Sequence, residues 1–414
     1  MKIIIVILLV LLFCCLFTYW NKSSTNKDMH YIRDLLAQCD VQVIHENDNE
    51  ATRRDGDVIY SDESFFDDVI ANASLGAGES YMKGKWYAHN DKLDTLFYKL
   101  LINNIEQKIT SQSWSNWIWL ISTRFSNHQS RKSAYDVEDV HYNIDNELYR
   151  QMLGPSMAYS CGYFDVKKNP TNNLDVAQYA KFQLLCDKLQ LQPGDHVLDI
   201  GCGFGSLDRY IVENYDCKVT GVNISKEQLK YANEIRKDLG ENIKSRLVYL
   251  DMDYRDVKGT YSKVVSVGMF EHVGHKNYRE YFEKAYSCLA DGGIFVLHTI
   301  GGNSCKTSTD PWINKYIFPN GVCPSIKQIG GEVAELFVIE DLQNFGPDYD
   351  KTLQAWYNNY KLALQSNKIK KDVIFNRMWE YYLLSCAATF RARKNQLWQF
   401  VLTKNRIGKY TAPR

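Results

Sequence analysis

The chain has 414 residues, room for one large domain or two ordinary ones. Its 49 Lys and Arg balance 49 Asp and Glu, so nothing drives non-specific binding to nucleic acid. The 11 cysteines are odd in number, scattered and without a Cys-x-x-Cys pair, which argues against a disulfide framework or a structural zinc and fits a reducing compartment.

The first predicted element is an apolar run from Ile3 to Trp20 without a charge. As a helix it spans about 27 Å, close to the ~30 Å hydrocarbon core of a bilayer. Tyr19 and Trp20 stand where an interfacial aromatic belt would be, and no small-x-small cleavage site follows. Residues 1–21 are therefore expected to be an uncleaved transmembrane anchor. The bulk of the chain is expected to face the cytoplasm.

Residues 22–60 are polar and read as a linker, and 61–130 as a small, mainly helical N-terminal domain. Gly76, Gly78 and Gly84 suggest a glycine turn, and Leu93, Leu96, Phe97, Leu100 and Leu101 an amphipathic helix. Trp114, Trp117, Ile121 and Phe125 share one helical face, suited to core packing or to a membrane surface.

A second, larger domain is expected over 131–414. Val197 to Ile200 read as a buried strand, followed by Gly201, Gly203 and Gly205 and then a helix with Leu207, Tyr210 and Ile211 on one face. A glycine loop between strand and helix lets backbone approach a ligand, and the helix N-terminus offers free N–H groups. A dinucleotide loop would be Gly-x-Gly-x-x-Gly, with an acidic residue ending the next strand. Here Gly205 comes one residue early, and strand Lys218 to Val222 ends at Asn223. No Gly-Lys-Ser/Thr follows, so a phosphate-binding P-loop is excluded too. Asp199-x-Gly-x-Gly-x-Gly resembles the first motif of S-adenosylmethionine-dependent methyltransferases. Ser225 and Gln228 form a predicted capping box for a helix through Leu239.

Lys263–Val267 and Gly293–Leu297 are further strands, with a helix over 278–289 between them, and Leu397–Leu402 is a final strand. Glu271-His-Val-Gly-His275 is not the His-Glu-x-x-His of a zinc site, and Asp251, Asp253 and Asp256 lack the pattern of a calcium loop. No metal is expected.

Longer strings identify a family. His141–Tyr149, Met157–Tyr163, Ser266–Gly274, Leu297–Gly301, Asp310–Gly321 and Ala392–Trp398 strongly resemble cyclopropane-fatty-acyl-phospholipid synthases. The similarity runs from about Leu75 to the C-terminus and extends to mycolic-acid cyclopropane synthases. It implies an α/β, Rossmann-like fold with a seven-stranded, mainly parallel sheet. It also implies methyl transfer from S-adenosylmethionine to a cis double bond of a phospholipid acyl chain, with later proton loss and ring closure. A homodimer stays open.

The resemblance implies a bound bicarbonate as the late base, held by Cys161, Glu271, His298, the backbone of Ile300, and Tyr349. Cofactor contacts fall on Tyr159, Ser160, Val197, Asp199, Gly201, Gly203, Gly205, Asn223, Gln228, Tyr254 and Arg255. Asn223 stands where the family usually has Thr. Cys386 matches a cysteine once assigned as the active-site residue, yet alkene methylation needs no thiol nucleophile. A glutamate beside an anion predicts a raised Glu271 pKa, because two carboxylate-like groups in contact cannot both ionise cheaply. Tyr159, Tyr163, Phe164, Phe270 and Tyr349 are aromatic faces able to stabilise a cation. Alternatives are alkene methylation without ring closure, methylation of an amine, and a non-catalytic membrane scaffold.

Overall fold

The computed structural model describes residues 25–105, 146–165 and 172–413. The chain divides into two units, 1–115 and 116–414. Tryptophan-rich 114–125 and the start of the family entry segment, 141–145, lie outside the described residues.

In the first unit, α1 is Thr25–Ala37, β1 Val43–His45, β2 Val58–Tyr60, α2 Ser64–Met82, β3 Trp86–Ala88 and α3 Leu93–Ile102. The strands form one small sheet in the order β1-β2-β3. Residues 25–60, expected as linker, therefore hold a helix and two strands. Their polar composition hides the few apolar side chains that count: Ile32, Leu35, Val41 and Ile59 are buried. Asp57 ties the segment together by accepting from the N–H groups of Gln42 and Arg54 at 2.9 and 2.8 Å. The glycine turn is narrower than expected. Gly76 and Gly78 lie inside α2, which kinks at Ala73 (φ 49°), and only Gly84 is in the turn. After the kink Gly76 abuts the Asp68 backbone so closely that a Cβ would not fit. Helix α3 buries Leu93, Leu96 and Leu101, as its periodicity predicts.

In the second unit, α4 is Asn146–Leu153, α5 Leu174–Leu189, β4 His196–Ile200, α6 Ser206–Asn214, β5 Lys218–Asn223, α7 Lys226–Lys237, α8 Glu241–Lys244 and β6 Leu247–Asp251. Then come β7 Tyr261–Val267, α9 Tyr278–Cys288, β8 Leu289–Gly302, α10 Pro311–Tyr316, α11 Ile326–Val333, β9 Val338–Asn344, α12 Pro347–Gln365, α13 Val373–Arg391 and β10 Asn395–Thr403. Seven strands form one sheet in the order β6-β5-β4-β7-β8-β10-β9. The pairs β6–β5, β5–β4, β4–β7 and β7–β8 are parallel, and β10 runs antiparallel to both β8 and β9. The expected Rossmann-like sheet is present.

Alternate residues of the central strands feed two cores. Leu198, Phe295, Leu297 and Phe400 pack with Tyr281 and Phe282 of α9 on one face. Val197, Ile294, Val296 and Val401 pack with Leu185 of α5 and Ile211 of α6 on the other. Truncating a fully buried aromatic such as Phe295 would cost about 3–5 kcal/mol.

No helix among the described residues is long and apolar enough to cross a membrane. Helices α2, α12 and α13 have 19 residues each, but charged and polar side chains interrupt them. The transmembrane anchor expected as part of the fold is withdrawn, and with it the expected anchored, cytoplasm-facing localisation. The run Ile3–Trp20 itself lies outside the described residues.

Candidate active site

The carboxyl ends of β4, β5, β6, β7 and β8 share one edge of the sheet, where open α/β folds bind ligands. The glycine loop leaves β4 there. Gly201, Gly203 and Gly205 all have positive φ (87°, 55° and 76°), a conformation that side chains disfavour. The N–H groups of Gly201 and Cys202 donate to the Val222 carbonyl at 2.9 and 3.1 Å, which fixes the loop against β5.

Several of the side chains expected to contact a cofactor also bond within the chain. The Asn223 amide donates to Gln228 Oε1 at 2.9 Å and to the Gly203 carbonyl at 3.4 Å. Asn223 thus braces the loop. Ser225 caps α7 by accepting from the Gln228 N–H, while the Gln228 side chain answers Asn223, so the capping box forms by half. Arg255 forks onto Asp253 at 2.7 and 2.9 Å, and its guanidinium lies over the Tyr254 ring. Asp199 is buried beneath the loop beside Asp208, a residue that sequence reasoning missed. Burial raises Asp199 to about 7; burial and then Asp199 push Asp208 well above the carboxylate range. Such a pair is stable only while it holds a proton.

The segment carrying Tyr159, Ser160 and Cys161 is clamped from both sides. On α5, Gln178 donates to the Ser160 carbonyl at 2.8 Å. The buried Lys181 ammonium donates to Ser160 Oγ and Gln178 Oε1, both at 2.7 Å. From α12, Thr352 Oγ1 accepts from Gly162 N at 3.0 Å and lies 3.8 Å from Cys161 Sγ, while Asp348 accepts from Phe164 N at 2.8 Å. The first turn of α12, opened by Pro347, therefore places Tyr349 in the neighbourhood of Cys161. Burial pushes the Tyr349 hydroxyl well above its usual range, and Cys161, Tyr159, Glu271 and Cys386 add to the shift. These residues, far apart in sequence, thus share one electrostatic neighbourhood.

Glu271 sits in a short 3-10 turn just after β7. The Ile300 N–H donates to Glu271 Oε1 at 2.6 Å. The N–H of Ile300, whose backbone is expected to hold an anion, is thus engaged by the glutamate. Glu271 is raised to about 7, chiefly by burial, with the Ile300 N–H opposing. The expected direction holds, but its cause is desolvation.

His298, on β8, pairs with Gln399 on β10, whose Nε2 lies 3.1 Å from His298 Nδ1. With the amide donating, Nδ1 accepts and the ring hydrogen sits on Nε2. Burial holds this imidazole neutral, reinforced by Lys181 and Lys188. Glu271 Oε2 and His298 Nε2 are both buried without a hydrogen-bond partner among the described residues.

Aromatic side chains wall this region. Tyr159 hydroxyl bonds Tyr382 hydroxyl at 2.7 Å, its ring lies 5.2 Å from Trp356, and Tyr349 lies 4.5 Å from Phe390. Phe270, expected among the cation-facing rings, stacks at 4.4 Å on Tyr278 in the sheet core. Phe164 lies under Lys351, and Tyr163 packs edge-on to Phe345. The Cys386 thiol is pushed up to about 12, first by burial, so it is no thiolate at neutral pH. Gln399, Thr352, Lys181, Trp356 and Tyr382 escaped the sequence reading because only the fold brings them here.

Residues 128–400 match the family model described as mycolic acid cyclopropane synthetase. The chain is 45% identical over 348 residues, covering 84% of it and 88% of the relative, to the cyclopropane-fatty-acyl-phospholipid synthase of Escherichia coli K12. Among solved structures, cyclopropane synthase MmaA2 of Mycobacterium tuberculosis superposes with a TM-score of 0.60 at 28% identity, covering 65% of this chain and 98% of that one. Mycolic acid cyclopropane synthase CmaA1, complexed with SAH and CTAB, gives 0.58 at 31% identity with the same coverage. The chain belongs to the mycolic acid cyclopropane synthetase family.

Proposed function

We propose that the chain converts a cis double bond in a phospholipid acyl chain to a cyclopropane, with S-adenosylmethionine as methyl donor. The enzyme class is that of its relatives, S-adenosylmethionine-dependent cyclopropane synthases. In the reaction a carbon–sulfur bond breaks as a carbon–carbon bond forms to the alkene. The positive centre left on the acyl chain is resolved when the transferred methyl loses a proton and the ring closes. S-adenosylhomocysteine and a proton are the other products.

The residues fit this chemistry in three ways. The glycine loop and the braced Asn223 present backbone at the carboxyl edge of the sheet, where orientation of the donor is the main demand. Tyr159, Trp356 and Tyr349 offer aromatic faces to a developing cation. Glu271 Oε2 and His298 Nε2 are the observation that carries the proposal: two buried polar atoms without hydrogen-bond partners among the described residues, beside the aromatic walls. Together with Cys161 and Tyr349 they would hold a bicarbonate ion, which supplies the base for the methyl proton. Glu271, near its midpoint at neutral pH, can keep a proton at Oε2 and donate it to an anion. Burial lowers the Lys181 ammonium to about 7, and the charge it still carries near neutral pH would favour an anion close by.

Incubating the purified protein with S-adenosylmethionine and vesicles of a cis-monounsaturated phospholipid tests the reading. Gain of one CH2 with loss of the double bond is expected, and the rate should fall in bicarbonate-depleted buffer. A methylated product that keeps an alkene, or an amine-methylated headgroup, would refute ring closure. Full activity without bicarbonate would refute the bicarbonate site alone.

A further inference from the structure

Helices α12 and α13 form an antiparallel hairpin whose register is fixed along its length. Arg391 pairs with Asp350 at 2.9 Å, Tyr357 donates to Glu380 at 2.5 Å, and Tyr360 donates to Asn376 at 2.6 Å. One end of the hairpin carries Tyr349 and Cys386, residues of the candidate site. The other end, residues 361–377, has an unusual surface. Leu362, Val373 and Ile374 are 62%, 72% and 56% exposed. Around them the sequence places Lys361, Lys368, Lys370, Lys371 and Arg377 against a single acidic residue, Asp372. The carboxylate of Asp372 is engaged as the cap of α13, accepting from Phe375 N at 2.8 Å. In a chain of zero net charge this is a local concentration of positive charge.

Neither half of this patch serves the hairpin's own packing. Tyr360 and Trp379 are buried, their rings 6.4 Å apart across the two helices, and already supply the apolar contact. Val373 and Ile374, in the first turn of α13, gain nothing by exposure in water. The Lys371 ammonium lies 5.3 Å from the centroid of the Phe375 ring, a cation–π contact that holds its charge at the rim of the apolar patch. Exposed aliphatic side chains ringed by lysines suit an interface that is apolar within and anionic at its rim. A phospholipid leaflet carrying negative headgroups has that profile.

We infer that the α12–α13 hairpin tip docks the enzyme on an anionic phospholipid bilayer. Val373, Ile374 and Leu362 enter the acyl boundary, and Lys368, Lys370 and Lys371 meet headgroups. Thirteen residues separate Leu362 from Tyr349, and thirteen separate Val373 from Cys386. At about 1.5 Å each, both helices span roughly 20 Å from tip to site. That is of the order of the ~15 Å hydrocarbon depth of one leaflet. The hairpin would thus set the height at which an acyl chain is offered to the site. The inference rests on the reading that a membrane phospholipid is the substrate.

Sedimentation of the full-length protein with phosphatidylcholine vesicles, with and without phosphatidylglycerol, tests it. The wild type should prefer the anionic vesicles, and added salt should weaken binding. The triple variant Lys368→Glu/Lys370→Glu/Lys371→Glu should bind them on the order of 100-fold more weakly. Val373→Asp/Ile374→Asp should bind weakly as well. Both variants should melt like the wild type and keep its activity on detergent-dispersed phospholipid, while losing activity on vesicles. Wild-type affinity for anionic vesicles in the triple variant would overturn the inference. So would polyglutamate binding that equals vesicle binding and ignores Val373→Asp/Ile374→Asp, which would assign the patch to an acidic polypeptide. A wild type that binds anionic vesicles but makes no cyclopropane lipid would sink the functional reading and leave the docking surface standing.

Discussion

Gln399 faces His298 across the antiparallel β8–β10 ladder, with the amide nitrogen 3.1 Å from Nδ1. This bond selects the tautomer that carries its hydrogen on Nε2, an atom buried without a hydrogen-bond partner among the described residues. Gln399→Leu keeps the side chain's bulk and removes the donor. Its initial rate of cyclopropane formation is expected to fall about 10- to 100-fold. A rate within twofold of the wild type would show that the tautomer does not matter.

Glu271 connects activity to stability. Its folded pKa, raised to about 7, lies above the ordinary carboxylate value, so the folded state binds the extra proton. Stability therefore falls as pH rises from about 4.5 to 7, by about 3 kcal/mol for this group alone. Glu271→Gln removes the titration. Relative to the wild type, it should melt higher at pH 7.5 than at pH 4.5 while its cyclopropanation is reduced at least about 100-fold. Thermal unfolding at the two pH values and a lipid assay read both effects.

The Asp199–Asp208 pair makes a separate prediction. Both carboxyls are raised by burial and, at Asp208, by the neighbouring carboxylate, so the pair costs stability as pH rises. Asp208→Asn supplies a donor in place of the shared proton. It is expected to stabilise the protein by about 1–3 kcal/mol at pH 8 and by little at pH 4. An equal melting shift at both pH values would show that packing, and not ionisation, is being measured.

Cys386 and Cys161 should separate under substitution. With its thiol pushed up to about 12, Cys386 is no nucleophile, and Cys386→Ala is expected to keep activity within about threefold. Cys161→Phe would crowd Thr352 in a fully buried position beside Tyr349, and a loss above about tenfold is expected. Steady-state kinetics on both variants, beside their melting curves, decides the matter.

What the sequence reveals and conceals follows from range. The loop at Gly201, Gly203 and Gly205 is local, and each glycine has the backbone angle that its spacing suggests. Helix α3 and strands β4, β5, β7, β8 and β10 are legible from periodicity or from short apolar runs. Strands β6 and β9 escape notice because they are sheet edges, where Val248, Val338, Ile339 and Leu342 stay exposed and the pattern is broken by charge. Gln399 and Thr352 are invisible for another reason. They meet His298 and Cys161 across separations of 101 and 191 residues, which no local rule spans. The apolar run Ile3–Trp20 lies outside the described residues, and length and hydropathy alone state only what such a segment could do in a bilayer.

Strand β10 is the last strand in chain order, yet it lies between β8 and β9 inside the sheet. During synthesis, β8 emerges with His298 long before Gln399 exists. The imidazole lacks this partner, and β8 its neighbour on that side, until β10 is free to insert. The pairing that aligns His298 is thus completed only once β10 has entered the sheet.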